Sequence, residues 1–292
     1  MVVEEILIYG AVQGSVYALL ALGYSLVYGV GGILNLAHGA YYLMATYAFY
    51  WIWLLLTPLI GGIYSFFLGM VIALIVAAIV GIVSYLLLIK PLKEHEITLL
   101  MGTFSIGFFC EQLVIAMYDP NVHSIPTIFS SYINVLGKNI QVHWIIIIVA
   151  SLVIVGIVTI FINKSKLGKS IRAVSQDREA ALLMGINADR VLMYTVTISA
   201  VLAGVAAVLY VPVDVIAPYK GWPILTGAIA VVILGGMGSL LGSVVGAYII
   251  GFVRIATNFL IDPVYSSLIP IIVIIVILVI RPRGLFGKKE TS

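Results

Sequence analysis

The sequence predicts an all-α, polytopic membrane protein with about eight transmembrane helices plus one short or broken helix. Composition is the first observation: 63% of the 292 residues are hydrophobic and only 9% are charged, whereas a soluble domain is about 45–50% apolar and about 25% charged. The second is that apolar residues fall in long runs, and a helix needs roughly 20 such residues to cross the bilayer. Irregular backbone would leave polar groups unpaired in hydrocarbon, so each run is expected to be helical.

Apolar runs mark the helices in chain order, with bounds set to within a few residues. The first six are predicted near residues 6–29, 34–57, 64–89, 97–118, 143–162 and 190–211. A pair interrupted by glycines follows near 223–236 and 240–260, and a last helix covers about 264–281. The run near 223–236 is the short one, so it either spans the membrane or enters and leaves on one side. All of residues 1–292 are expected to form one membrane domain.

Lysine and arginine placement predicts the orientation. The basic residues form three groups: Lys90 with Lys93, residues 164–190, and a C-terminal tail with Arg281, Arg283, Lys288 and Lys289. Alternation through the spans puts all three groups on one side, provided that the short helix crosses. The positive-inside rule then places the N-terminus outside and the C-terminus in the cytoplasm. Glu4 and Glu5 stand where a cleavable signal would need basic residues, so the first helix is expected to be retained.

Charge is concentrated in residues 164–190, which hold a third of all charged residues in about a tenth of the chain. The first half of this segment is basic and suits anionic lipid headgroups. The second half, at about 176–185, has early polar residues and then an apolar stretch from Ala180 to Met184, with Gly185 as a plausible helix stop. A short amphipathic helix of this kind lies on lipid, packs within the protein, or inserts into a groove on a partner. The sequence alone does not distinguish these three possibilities.

Glycine-rich breaks interrupt the helices at two places. The first contains Asn35, His38 and Gly39, and the second contains Gly236, Gly238, Ser239 and Gly242. Broken helices are tolerated at membrane depth where protein or a polar cavity supplies hydrogen bonds, and they often line substrate pathways. Gln13, a polar residue within the first helix, is assigned to the same candidate pathway. Close helix packing through small residues is the alternative explanation for most of these glycines.

Two ionisable residues lie at matching depth within predicted helices. Glu111 and Arg254 each stand about six or seven residues from the outer end of a span, and an ion pair between them would relieve two costly groups. No catalytic or metal-binding arrangement is expected, because the four histidines are scattered and Cys110 is the single cysteine. The net charge of +3 comes from loop residues and gives no indication of nucleic-acid binding.

Four stretches carry a resemblance to a known family. They are residues 14–29 with Asn35-Leu-Ala-His-Gly39, residues 172–186, Leu234-Gly-Gly-Met-Gly-Ser239 followed by Gly242, and Arg281-Pro-Arg-Gly-Leu-Phe-Gly287. Together they resemble the permease subunits of branched-chain amino acid ABC importers, the LivH and LivM type, and the LivH members most. The resemblance extends over nearly the whole chain, and the 172–186 and glycine motifs together are specific.

The resemblance implies a transport subunit, not an enzyme, that moves branched-chain or related amino acids across the cell membrane. It implies a second permease subunit (LivM-like or another copy of this chain), two ATP-binding subunits that hold ATP and Mg²⁺, an extracytoplasmic substrate-binding protein and surrounding lipid. No cofactor is expected in this chain itself. Related permeases carry urea, short amides or other small solutes, and an ATP-independent channel or carrier is the rival class. The segment at about 163–190 would couple to an ATPase through Arg178, Glu179, Ala180, Leu182, Leu183 and Gly185.

Overall fold

A computed structural model describes residues 2–127, 129–135, 138–266 and 268–287. Lys288 and Lys289, two of the basic residues used for the predicted orientation, lie outside these ranges. The elements in chain order are α1 (Val2–Gly31), α2 (His38–Ile60), α3 (Gly62–Ser84), a π-helix (Tyr85–Ile89), α4 (Lys90–Leu92), α5 (Glu96–Met117), β1 (Tyr132–Val135), β2 (Lys138–Gln141), α6 (Val142–Lys164), α7 (Lys166–Gln176), α8 (Arg178–Leu183), α9 (Ala188–Tyr210), two 3₁₀ turns (Val211–Val213 and Pro218–Lys220), α10 (Gly221–Gly235), α11 (Leu240–Leu260), a 3₁₀ turn (Pro263–Ser266) and α12 (Leu268–Ile280). β1 pairs antiparallel with β2.

The all-α, polytopic fold class is confirmed. Nine helical stretches in the described part of the chain are long and apolar enough to span a membrane, and each overlaps one predicted run. α10 has 15 residues, and its stretch reaches 18 residues only with the preceding 3₁₀ turn. At 1.5 Å per residue α10 alone covers about 22 Å, less than the roughly 30 Å hydrocarbon layer. The short helix predicted near 223–236 is therefore present as α10.

Contacts gather the basic segments at one end of the bundle, here named the basic side. Asp189, at the start of α9, pairs with Lys93 before α5 and lies 3.8 Å from Arg178 of α8. The chain after α12 returns to the end of α10, where Leu285 N donates to Leu234 O at 2.9 Å. Ser239, in the turn after α10, lies beside Arg172 of α7 in one groove. The described residues of the three basic groups therefore share one side, as predicted.

The opposite side holds the start of α1, the β-hairpin and the connection from α9 to α10. Tyr9 of α1 stacks on Phe259 near the end of α11, with ring centroids 5.9 Å apart. His123 and Ile216 exchange two backbone hydrogen bonds of 2.9 and 2.8 Å, which tie the α5–β1 loop to the α9–α10 connection. The start of α1 and the chain after α12 thus lie at opposite ends of the bundle.

α1 and α9 form the centre of the bundle. Most of both helices is buried, whereas little of α5 and α6 is buried. α1 packs chiefly on α11 and α9, and glycines permit the approach: a Cβ on Gly251 would lie 2.5 Å from Gly14 N, and one on Gly23 would lie 3.1 Å from Ser199 O. Because hydrocarbon gives helices no hydrophobic drive to associate, close van der Waals contact of this kind holds the bundle together.

Two irregular connections enter the bundle from its two ends. The connection from α1 to α2 turns back into the interior, so that α2 begins at His38, beside Ser199 halfway along α9. The connection from α9 to α10 turns inward from the opposite side. The two helix starts meet, because a Cβ on Gly39 would lie only 2.4 Å from Gly221 O. α2 and α10 therefore begin within the protein interior.

Gly251→Ala is expected to destabilise the protein by about 1–3 kcal/mol, because the added methyl group would overlap the backbone of Gly14. Thermal unfolding of detergent-purified protein measures the loss. Gly156→Ala is the matched control, since Gly156 also lies inside a helix and a Cβ there meets nothing within 4 Å. An equal loss in the control would show that the α1–α11 crossing does not depend on the missing side chain.

Candidate functional site

The segment between α6 and α9 folds as two short helices on the basic side. Ser165 caps α7, its Oγ accepting from Gly168 N at 2.8 Å. Asp177 caps α8, its Oδ1 accepting from Ala180 N at 2.9 Å. Each cap satisfies a backbone N–H that has no partner within its helix. The helix predicted at about 176–185 is present as α8.

α8 ends in a Schellman turn at Gly185. This glycine has φ +81°. Its N donates to Leu182 O at 3.0 Å, and Ile186 N donates to Ala181 O at 3.0 Å. A side chain is disfavoured in this left-handed conformation, so glycine suits the position. The helix stop predicted at Gly185 is confirmed.

Charged contacts attach these two helices to neighbouring spans. Arg172 of α7 donates to the side chain of Asn163 at 2.9 Å and to its backbone O at 3.1 Å, which occupies a carbonyl at the end of α6. Asp189 pairs with Lys93 and lies 3.8 Å from Arg178. α7 and α8 are therefore tied to α6, to α9 and to the link before α5.

α8 presents an uncovered apolar surface. Leu183 is 89% exposed, Met184 82% and Leu182 50%, whereas the neighbouring Ala181 is buried. The other predicted coupling residues are exposed as well: Arg178, Glu179, Ala180 and Gly185. Packing within the described part of the chain does not cover these side chains, which suit contact with lipid or a partner.

The first glycine-rich break is closely packed. Asn35 is buried; its Oδ1 accepts from Ala37 N at 3.1 Å, and its Nδ2 donates to Tyr41 OH at 3.1 Å. His38 is fully buried, with Nδ1 3.1 Å from Ser199 Oγ. These side chains supply hydrogen bonds to the break, and Gly39 permits the contact with α10 described above.

The second break connects α10 to α11 on the basic side. Gly236, with φ +99°, and Gly238, with φ +81°, adopt conformations that favour glycine. Ser239 caps α11, its Oγ accepting from Gly242 N at 3.1 Å. A Cβ on Gly242 would lie 2.1 Å from Gly235 O. Turn geometry and close packing thus give a structural reason for these glycines.

The predicted pathway residues are not brought together at one site. Gly238 and Ser239 line a groove of about 260 Å³ on the basic side, beside residues of α1, α6 and α7. Asn35 and His38 lie inside the bundle, and Gln13 lies near its other end. The role of these residues in translocation stays a prediction.

The chain after α12 folds back onto the second break, which the sequence does not foretell. Leu285 N donates to Leu234 O at 2.9 Å, and Phe286 N donates to Gly235 O at 3.0 Å. Gly284 forms the turn before them with φ +76°. Two carbonyls at the end of α10, which have no partner in their own helix, are paired in this way.

Gln13 belongs to a polar cleft on the opposite side. Its Oε1 accepts from Tyr210 OH at 2.9 Å, and both residues line a pocket of about 230 Å³. Lys220 Nζ lies 2.8 Å from each carboxylate oxygen of Asp214 in this pocket, and Arg254 also lines it. Polar residues at a helix end or in a connection are ordinary, so the sequence does not single out Tyr210, Asp214 or Lys220.

The predicted ion pair between Glu111 and Arg254 is wrong. Glu111 accepts a hydrogen bond from Trp222 Nε1, and Arg254 donates to Tyr17 OH. Matching depth along two helices does not fix the direction in which each side chain points. α5, which carries Glu111, packs on α2, whereas α11 packs on α1.

Glu111→Leu and Trp222→Phe are expected to be coupled, because they remove the two partners of one hydrogen bond. Each single variant strands a polar group and should lose about 1–3 kcal/mol of stability, and the double variant should lose clearly less than the sum. Thermal unfolding in detergent measures this cycle. A second cycle, Glu111→Leu with Arg254→Met, is the control, and its losses of stability should be additive. Coupling in this second cycle would instead support an ion pair between Glu111 and Arg254.

Comparison with known proteins adds independent findings. Residues 6–278 match the family described as "Branched-chain amino acid transport system / permease component". The high-affinity branched-chain amino acid transport system permease protein LivH of Salmonella typhimurium is 30% identical over 97% of this chain and 95% of that protein. The corresponding permease protein BraD of Pseudomonas aeruginosa is 31% identical over 98% and 96%. A probable branched-chain amino acid transport permease protein LivH of Methanocaldococcus jannaschii is 28% identical over 97% and 93%.

No solved structure matches the chain. The family match covers nearly all of the spans described above and agrees with the resemblance drawn from the motifs. This multi-pass membrane chain belongs to the branched-chain amino acid transport system permease family.

Proposed function

We propose that the chain is a permease subunit of an ATP-binding-cassette importer for branched-chain or related amino acids. Its partners are a second permease subunit (a LivM-like chain or a second copy), two ATP-binding subunits that hold ATP with Mg²⁺, and an extracytoplasmic binding protein. Similarity over almost the full length to permease proteins of branched-chain amino acid transport systems supports this role. The basic side faces the cytoplasm in this proposal, by the positive-inside rule, and α1 starts outside the cell.

The exposed apolar surface of α8 is the observation that carries the proposal. Leu183 and Met184 are more than four-fifths exposed on a helix that is capped and tied to its neighbours. α8 contains one arginine and one glutamate, so it has no net positive charge to hold it on anionic lipid. An apolar helix face of this kind suits a groove on a partner protein, here an ATP-binding subunit.

The ties of α8 suggest how movement of the ATP-binding subunits reaches the membrane. Asp189 contacts both Arg178 and Lys93, so displacement of α8 pulls on the start of α9. The two hydrogen bonds from Arg172 to Asn163 extend the connection to α6. α9 packs on α1, α2 and α3 in the centre of the bundle. A displacement of α8 is thereby transmitted through α9 to the helices that surround the two breaks.

Leu183→Asp should prevent the ATP-binding subunits from co-purifying and lower leucine uptake by about tenfold or more, because a carboxylate is costly in an apolar groove. The unfolding temperature of the permease should not change, since Leu183 is exposed in this chain. Pull-down of the assembled importer in mild detergent and uptake of labelled leucine with the binding protein measure both effects.

Ile97→Asp is the matched control, because Ile97 is 74% exposed on the basic side but lies on α5. This variant should keep the ATP-binding subunits bound. Normal co-purification of the Leu183→Asp variant would contradict the role of α8. Uptake without any ATP-binding subunit would favour a channel or carrier, and uptake of urea or short amides in place of leucine would change the substrate class.

A further inference from the structure

Two pockets meet on the opposite side of the bundle and form the cleft that contains Arg254. One, of about 230 Å³, is lined by many polar groups, among them Asp214 and Lys220. The other, of about 170 Å³, is lined mainly by apolar residues of α10, α11 and α12, among them Ile250 and Ile274. Three residues line both pockets: Pro223, Arg254 and Ser266. Arg254 therefore stands between a polar and an apolar compartment.

Arg254 is a cation within a span that lacks a carboxylate partner in the described part of the chain. It lies six residues before Leu260, the end of α11, or about 9 Å into the helix. Its guanidinium donates to the hydroxyl group of Tyr17. An ionisable residue within a span is costly, which makes Arg254 a candidate functional residue. The remaining N–H groups form a planar fork that suits the two oxygens of a carboxylate.

The polar compartment also offers negative charge and neutral acceptors. Asp214 is paired with Lys220 at 2.8 Å, and both side chains are 22% exposed, so a ligand can reach the carboxylate. The Lys220 side chain is flexible, so its ammonium group can move and leave one carboxylate oxygen of Asp214 free to bind another cation. Gln13 Oε1, which accepts from Tyr210, faces the same pocket. The cleft thus pairs a site for an anion with a site for a cation.

We propose that this cleft binds an aliphatic, zwitterionic amino acid during its passage through the permease. Arg254 binds the carboxylate, Asp214 binds the ammonium group, and the compartment beside Ile250 and Ile274 holds the branched side chain. The proposal rests on the proposed transport function and adds to it a recognition site within this chain. An uncharged solute such as urea would leave the Arg254 guanidinium without a counter-charge, so the cleft favours amino acids.

Uptake by the full importer, reconstituted with its binding protein, is the first test. Arg254→Gln should lower leucine uptake by roughly tenfold or more and Arg254→Lys by less, while both keep the ATP-binding subunits bound. Tyr248→Phe is the matched control, because it also removes a hydrogen bond between α1 and α11, to Ser15, and Tyr248 lines neither pocket. Equal losses for Arg254→Gln and Tyr248→Phe would show that Arg254 only supports the structure and would overturn the proposal.

Cysteine labelling tests the cleft without the binding protein. Asn258 lines the polar compartment, so Asn258→Cys in a Cys110→Ala background should react with a small polar thiol reagent. Leucine should slow the reaction severalfold, whereas 4-methylpentanoate and 3-methylbutylamine, which each lack one charge, should slow it less. Arg254→Gln should abolish the protection by leucine.

The outcomes of these tests distinguish failure of the binding site from failure of the proposed transport function. No protection by leucine, or protection that persists in the Arg254→Gln variant, would overturn the cleft as a binding site. Protection that follows the anionic lipid content of the nanodisc instead of leucine would assign Arg254 to a lipid phosphate and also overturn it. A wild-type importer that takes up no amino acid would refute the proposed function, whereas wild-type uptake that is unchanged in the Arg254→Gln variant would refute this site alone.

Discussion

The rest of the structure depends on one constraint: backbone polar groups that open inside hydrocarbon must be paired within the protein. At the first break Leu36 N donates to Thr103 Oγ1 of α5 at 3.2 Å, and the side chain of Asn35 accepts from Ala37 N. These bonds allow the chain to leave α1, turn back and start α2 in the interior. The close contact of Gly39 with Gly221 follows, because two helix starts can meet only where side chains are absent.

One central helix connects the features that we associate with transport. α9 begins at the contact of Asp189 with α8 and the link before α5. Its midpoint carries Ser199, which lies against His38 at the first break. Its last residue, Tyr210, donates to Gln13 in the polar cleft. The contact with α8, the first break and the polar cleft thus lie along a single helix of 23 residues, and a rigid displacement of that helix affects all three.

Much of the fold could be predicted because the bilayer constrains the length and composition of each continuous membrane-spanning segment. Length and apolarity of a run decide whether it spans, and the demand for hydrogen bonds makes it helical. Local sequence signals were also informative, because Gly185 correctly predicts the end of α8. Contacts between helices could not be predicted in this way. A sequence gives the depth of Glu111 along α5 but not the side chain that its carboxylate contacts. Folding alone brings Asp214 beside Gln13, so the polar cleft has no signature in the sequence.

The return of the chain after α12 bears on the order of biosynthesis. The carbonyls of Leu234 and Gly235 receive their partners from Leu285 and Phe286, about fifty residues further along the chain. α10 is therefore inserted with an unfinished end, which is completed only after α11 and α12 have been made. A nascent chain that stops before α12 would leave these two carbonyls without their partners. The last described segment thus completes a helix that is made about fifty residues earlier.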